Sequence, residues 1–162
     1  MTIKSSFTGQ EWKKLLQAPG AAGIYIMMAD PSFVLGSMKE ALAVSSGILA
    51  KEKESNCELL SALLAEFKEK EMLKQAQLKF EKKDLETIRQ TSLDALSQAA
   101  QILDQKATPE EAAEIKDWLY DVSVKAANAA REGGFLGFGG TKVSDKEKVA
   151  LQEVADVFAI KA

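Results

Sequence analysis

Glu110, Glu114, Asp117 and Asp121 fall at i, i+4, i+7 and i+11, which sets four carboxylates along one face of a helix. Hard cations such as Ca²⁺ or Mg²⁺ take oxygen ligands, and this face could bind one if another segment closed the shell. The competing reading is a solvated face whose first acids complement the positive helix N-terminus. Helix-mounted carboxylates alone rarely surround an ion, so no cofactor is expected, with Ca²⁺ or Mg²⁺ as the alternative.

A second group is aromatic. Tyr25, Trp118 and Tyr120 could line a cleft with the segment Gly133–Gly140, which holds five of the chain's ten glycines along with Phe135 and Phe138. A phosphate loop needs Gly-Lys-Ser/Thr after a strand, whereas Gly140-Thr141-Lys142 follows a helical segment. Phe135 and Phe138 are expected to tuck back onto the helices near Trp118 or the final helix. The alternatives are contact with a partner or a membrane surface, or a lid over a ligand.

Histidine is absent, which removes the usual base of Ser-His-acid and Cys-His nucleophile systems. It also removes proximal haem ligation, His-containing zinc sites and the Glu-x-x-His pairs of ferritin-like centres. The single cysteine, Cys57, excludes an intramolecular disulfide. A helix start would lower its thiol pKa while Glu54 and Glu58 oppose this, so a plain, partly buried cysteine is expected. Catalytic residues are therefore not assigned.

These residues need helices to hold them, and helix starts recur along the chain. Ser or Thr followed three residues later by Glu occurs at Thr8/Glu11, Ser55/Glu58, Thr108/Glu111 and Ser144/Glu147. In such a capping box the hydroxyl accepts from the third helical N–H and the Glu reaches back to the cap N–H. Asp30-Pro31 and Thr108-Pro109 add a proline at the first helical position, where its missing donor costs nothing. Gly133-Gly134 mark a stop. The boundary near Asp84 is open, with one continuous bent helix through Lys82-Lys83-Asp84 as the alternative.

Apolar residues follow helical spacing. Leu60, Leu63, Leu64 and Phe67 form one stripe, and Leu85, Ile88, Leu96, Ile102 and Leu103 the next. Ile115, Trp118, Leu119, Val122 and Ala126 follow, and Val149, Leu151, Val154 and Phe158 mark a short final helix. Ala21 to Met28 is apolar on every side, which predicts a helix surrounded by others. The expected fold is all-α: an antiparallel bundle of five to seven helices, four of them about 23 residues long, roughly 35 Å each.

The 162 residues read as one domain. Residues 1–29 form an N-terminal apolar helical segment, 30–131 four long helices, 132–143 the Gly-rich loop and 144–160 the C-terminal helix. The four long segments are 30–53, 55–80, 84–106 and 108–131. The charge-rich stretch 66–86 reads as the exposed tip of a helical hairpin. Gly36, Ala43 and Gly47 form a small-residue seam suited to close helix approach within the chain or between copies.

Net charge is −3 with no basic block, so nucleic acid is an unsuitable partner. Lys13 and Lys14 precede the uncharged run Leu15–Ala29, an order seen in signal peptides. Pro19-Gly20 interrupts that run, and it falls short of the ~20 residues that span a bilayer. The segment reads as a core helix of a cytoplasmic protein without a transmembrane segment.

Met27-Met28-Ala29-Asp30 before a helix, and residues 140–147 followed by Leu151, Val154 and Ala155, together resemble the tellurite-resistance TerB-like helical proteins. Pro31 stands where that family has glycine, and no Asp precedes Val143-Ser144. The resemblance implies a bacterial all-helical stress-response protein without a defined reaction, and it carries over Asp30 and Glu147 as metal ligands. Taken together, these readings lead to a non-enzymatic protein acting through contacts with itself or another protein. The alternative is a binder of a small molecule or divalent metal.

Overall fold

The computed structural model describes residues 1–29, Leu49, 55–132 and 143–161. Among these residues it is all-helical, with no strand. Six helices are α1 (Gly9–Met27), α2 (Glu58–Phe67), α3 (Lys70–Gln75), α4 (Leu85–Lys106), α5 (Pro109–Glu132) and α6 (Asp145–Phe158), preceded by a 3₁₀ turn at Lys4–Ser6. Of the expected helix over 30–53 only Leu49 is described, and the small-residue seam and residues 133–142 of the Gly-rich loop lie outside the described residues. Leu49 is helical and buried in the core.

Three of the capping boxes form. Thr8 accepts from the Glu11 N–H at 3.2 Å, and the Glu11 carboxylate accepts from the Thr8 N–H at 2.7 Å. Thr108 with Glu111 and Ser144 with Glu147 repeat the pattern at the heads of α5 and α6. Asp84 settles the open boundary, because its carboxylate accepts the Thr87 N–H at 2.8 Å and caps α4.

The box expected at Ser55 does not form. Helix α2 begins at Glu58 with Cys57 as its cap residue and no side-chain cap. The Ser55 hydroxyl instead accepts from the Cys57 N–H at 2.9 Å, as in a local Ser turn, and donates to Glu114 at 2.6 Å. The hydroxyl's acceptor role is thus taken by the local turn rather than by the third helical N–H.

The expected single helix over 55–80 is likewise broken, into α2 and α3 followed by non-helical chain up to Asp84. Its apolar residues have two destinations. Phe67 packs against Trp118, with ring centroids 6.2 Å apart, while Leu78 and Phe80 pack on Ile24, Met27, Met28 and Ile88. A straight helix cannot reach both, so the chain turns at Lys68-Glu69 although neither Gly nor Pro is present.

Helix α1 packs against α2, α4, α5 and α6. Residues 21–28 are all buried, as a segment apolar on every side requires. Pro19 lies inside α1 and leaves the Leu15 carbonyl without its usual donor, yet the helix continues to Met27. Ala18, Ala21, Ala22 and Gly23 keep this core helix slim. Among the described residues no helix is long and apolar enough to cross a membrane.

Val149 departs from its expected stripe and is 59% exposed. The buried face of α6 is Glu147, Ala150, Val154, Ala155 and Phe158, and Val149 stands one position off it.

Candidate functional site

Three helices bring one polar cluster together. Tyr25 lies in the last turns of α1, Arg89 early in α4 and Glu153 in α6, and all three helices pack on one another. The Arg89 guanidinium lies over the Tyr25 ring, 5.1 Å from its centroid. Its Nη2 donates to the Tyr25 hydroxyl at 3.3 Å and to Glu153 Oε2 at 3.5 Å, and the Tyr25 hydroxyl itself donates to Glu153. Arg89 Nε is buried without an acceptor among the described residues.

Burial pushes the Tyr25 phenol up to about 12, and the hydrogen bond to Glu153 adds to this while Arg89 opposes it. Tyr25 therefore keeps its proton across the physiological range. A phenol in that state donates and orients, but it cannot serve as a general base near neutral pH.

Arg89 is also a shared wall between two cavities of about 430 Å³ each. The first is lined by Tyr25, Leu85, Glu86, Arg89, Gln90, Leu93 and Glu153. The second is lined by Ala29, Arg89, Asp145, Lys146 and Val149. Both volumes fall within the range of small-molecule pockets.

Of the described aromatic residues expected to line a cleft, only Tyr25 lines these cavities. Trp118 is buried against Phe67, its Nε1 without an acceptor among the described residues, and Tyr120 packs half-buried against the same core. Phe135 and Phe138 lie outside the described residues. Trp118 sits in the core because Ile115, Leu119 and Val122 on its own helix face inward with it.

The acidic face of α5 is dispersed among separate partners. Glu114 accepts the Ser55 hydroxyl, Asp121 pairs with Lys125 at 2.7 Å, and Glu110 is exposed. Asp117 borders a third cavity with Asp104 and Lys116, which themselves pair at 2.5 Å. Of the two acids drawn from the tellurite-resistance resemblance, Asp30 lies outside the described residues. Glu147 is buried, its carboxylate accepting the Ser144 N–H at 2.8 Å. Among the described residues no three His, Cys, Asp or Glu side chains converge as a metal shell.

Cys57 is buried, and that burial raises its thiol pKa, with Glu114 adding to the effect against backbone N–H groups of Leu60 and Leu59. Little thiolate forms near neutral pH.

Arg89 and Glu153 escaped the sequence reading. One signal was available: Arg89 is one of only two arginines in a lysine-rich chain, and Arg is the residue suited to a stacked, forked contact. Glu153 carried none, since its partners lie 64 and 128 residues away. No protein-family model, curated protein or solved structure matches the chain.

Proposed function

We propose that this protein is a non-enzymatic binder of a small organic molecule, with its site at the paired cavities around Arg89. One observation carries the reading: a single guanidinium, fixed by Tyr25 and Glu153, walls two cavities of ligand size. Preorganised polar groups beside apolar surface are what a small-molecule site requires. The cluster's protons are committed, since the Tyr25 hydroxyl donates to Glu153 and the phenol stays protonated. That favours binding over acid–base chemistry.

A titration followed by two-dimensional NMR tests the proposal with octanoate, octylamine and octanol as probes. At least one should shift the signals of Arg89 and Val149 with saturation, and the Arg89→Gln variant should lose the effect. If no probe moves those signals, or if Arg89→Gln binds as well as the parent protein, the site is wrong.

A second reading has its own observation. Val149 stands exposed beside the second cavity, as an anchor for a partner protein or another copy would. It accords with a role through contacts with a partner or another copy, and the tellurite-resistance resemblance would add a stress-response setting without a defined reaction. Concentration-dependent sedimentation of the parent protein, abolished in Val149→Asp, would favour it.

A further inference from the structure

We infer that the second cavity takes the head of an apolar-chain monocarboxylate, held by Lys146 beside Arg89, with the chain lying over Val149 and Ala29. The inference rests on the binding reading above and names its ligand class.

Charge decides the head group. Around this cavity Arg89 is already paired with Glu153, and Asp145 with Lys148 at 3.2 Å. Lys146 is left as the one cavity-lining charge without an ion-pair partner among the described residues. Among the described residues one uncompensated positive charge faces this cavity, which matches a monoanion, whereas a phosphate dianion would leave excess negative charge beside Asp145 and Glu153. The guanidinium edge of Arg89 adds planar donors that suit a carboxylate. The N-terminus of α6 is not the anion holder, because the capping box of Ser144 and Glu147 already occupies it.

The remaining described lining is apolar, an exposed Val149 beside a buried Ala29. Val149 is one of only three large hydrophobic side chains left exposed among the described residues, and Ala29 faces the same space. A chain of several methylenes would remove this surface from water, at about 0.8 kcal/mol for each buried CH₂.

Calorimetry with octanoate, octanol, octylamine and octyl phosphate on the parent protein tests the ligand class. Octanoate should bind at least tenfold more tightly than octanol or octylamine, and more tightly than octyl phosphate. Lys146→Gln should weaken octanoate about tenfold, or about 1.4 kcal/mol, while leaving octanol unchanged. Lys146→Arg should retain binding. Lys146 is exposed, so these variants should fold, and matching melting temperatures would establish that they do. If octanol or octylamine binds as well as octanoate at Arg89 and Val149, the carboxylate inference fails and the binding site stands. Tighter binding of octyl phosphate, or of anionic phospholipid vesicles alone, would replace it with a phosphate or membrane ligand. No binding of any probe sinks both readings.

Discussion

Arg89 engages Tyr25 twice, with its guanidinium over the ring at 5.1 Å and its Nη2 at 3.3 Å from the hydroxyl. Face and hydroxyl of one aromatic residue thus hold one long side chain, which removes rotamer freedom that an exposed arginine would keep. Glu153 then supplies the counter-charge from a third helix.

Tyr25→Phe keeps the ring and removes the hydroxyl. The expected loss is about 1 kcal/mol, for one hydrogen bond to a charged partner that is half exposed. The chain has two tyrosines, and alkaline titration of tyrosinate absorbance should show one step near 12 that vanishes in Tyr25→Phe. The folded phenol pKa lies above the ordinary 10.0, so its contribution to stability is complete below 10 and is lost as pH rises toward 12. A late step that survives in Tyr25→Phe would contradict the cluster.

Glu111 ties Thr2, ahead of the 3₁₀ turn, to the head of α5 through the Thr2 N–H at 2.8 Å. Burial works to raise its pKa, but the N–H groups of Thr2 and Thr108, which donate to its carboxylate, and the nearby chain N-terminus outweigh it and hold the carboxyl at about 2. The folded value lies below the ordinary 4.5, so the stabilisation is present above 4.5 and is lost as pH falls toward 2. Glu111→Gln should lower stability at neutral pH by about 1 kcal/mol, allowing for partial exposure. The gap between variant and parent, measured by urea unfolding, should close on acidification through that window. A gap independent of pH would show that packing, not charge, is responsible.

Trp118 is a packing residue, buried against Phe67. Trp118→Ala should cost about 3–5 kcal/mol, in the range for deleted core aromatics. Thermal unfolding measures this directly. A loss under about 1 kcal/mol would return Trp118 to the set of ligand contacts.

Ala159 ends α6 in the left-handed region at φ 55°, the one non-glycine residue with positive φ among the described residues. The Ala159 N–H bonds back to Asp156 at 3.1 Å and the Ile160 N–H to Ala155 at 2.9 Å, the arrangement that favours glycine at this position. Ala159→Gly should stabilise by about 1 kcal/mol by relieving the Cβ clash. The melting temperature should rise by about 2–4 °C. An unchanged or lower value would show that the strain is not felt.

The helix ends show how far local chemistry reaches. Thr8, Thr108 and Ser144 each cap with a glutamate three residues on, so the whole device lies within one turn of chain and is legible from spacing alone. So is the burial of Ala21 to Met28, because a segment without a polar face has no side to offer water. All-α character follows from the same short-range information.

Ser55 carries the same spacing and fails, because its hydroxyl accepts from the Cys57 N–H in a local turn and donates to Glu114, 59 residues on, while the helix starts only at Glu58. The chain turns after Phe67 for a similar reason: Trp118 and the Ile24–Ile88 cluster ask for its apolar residues in two places. The site is further still from local reading. Tyr25, Arg89 and Glu153 are ordinary residues on three helices, and only the packing of α1, α4 and α6 makes them one cluster. Periodicity records which face of a helix is apolar, but not which residues of distant helices will meet across it. That is fixed by how the three helices settle against one another, and here it decided that Arg89 would lie between Tyr25 and Glu153.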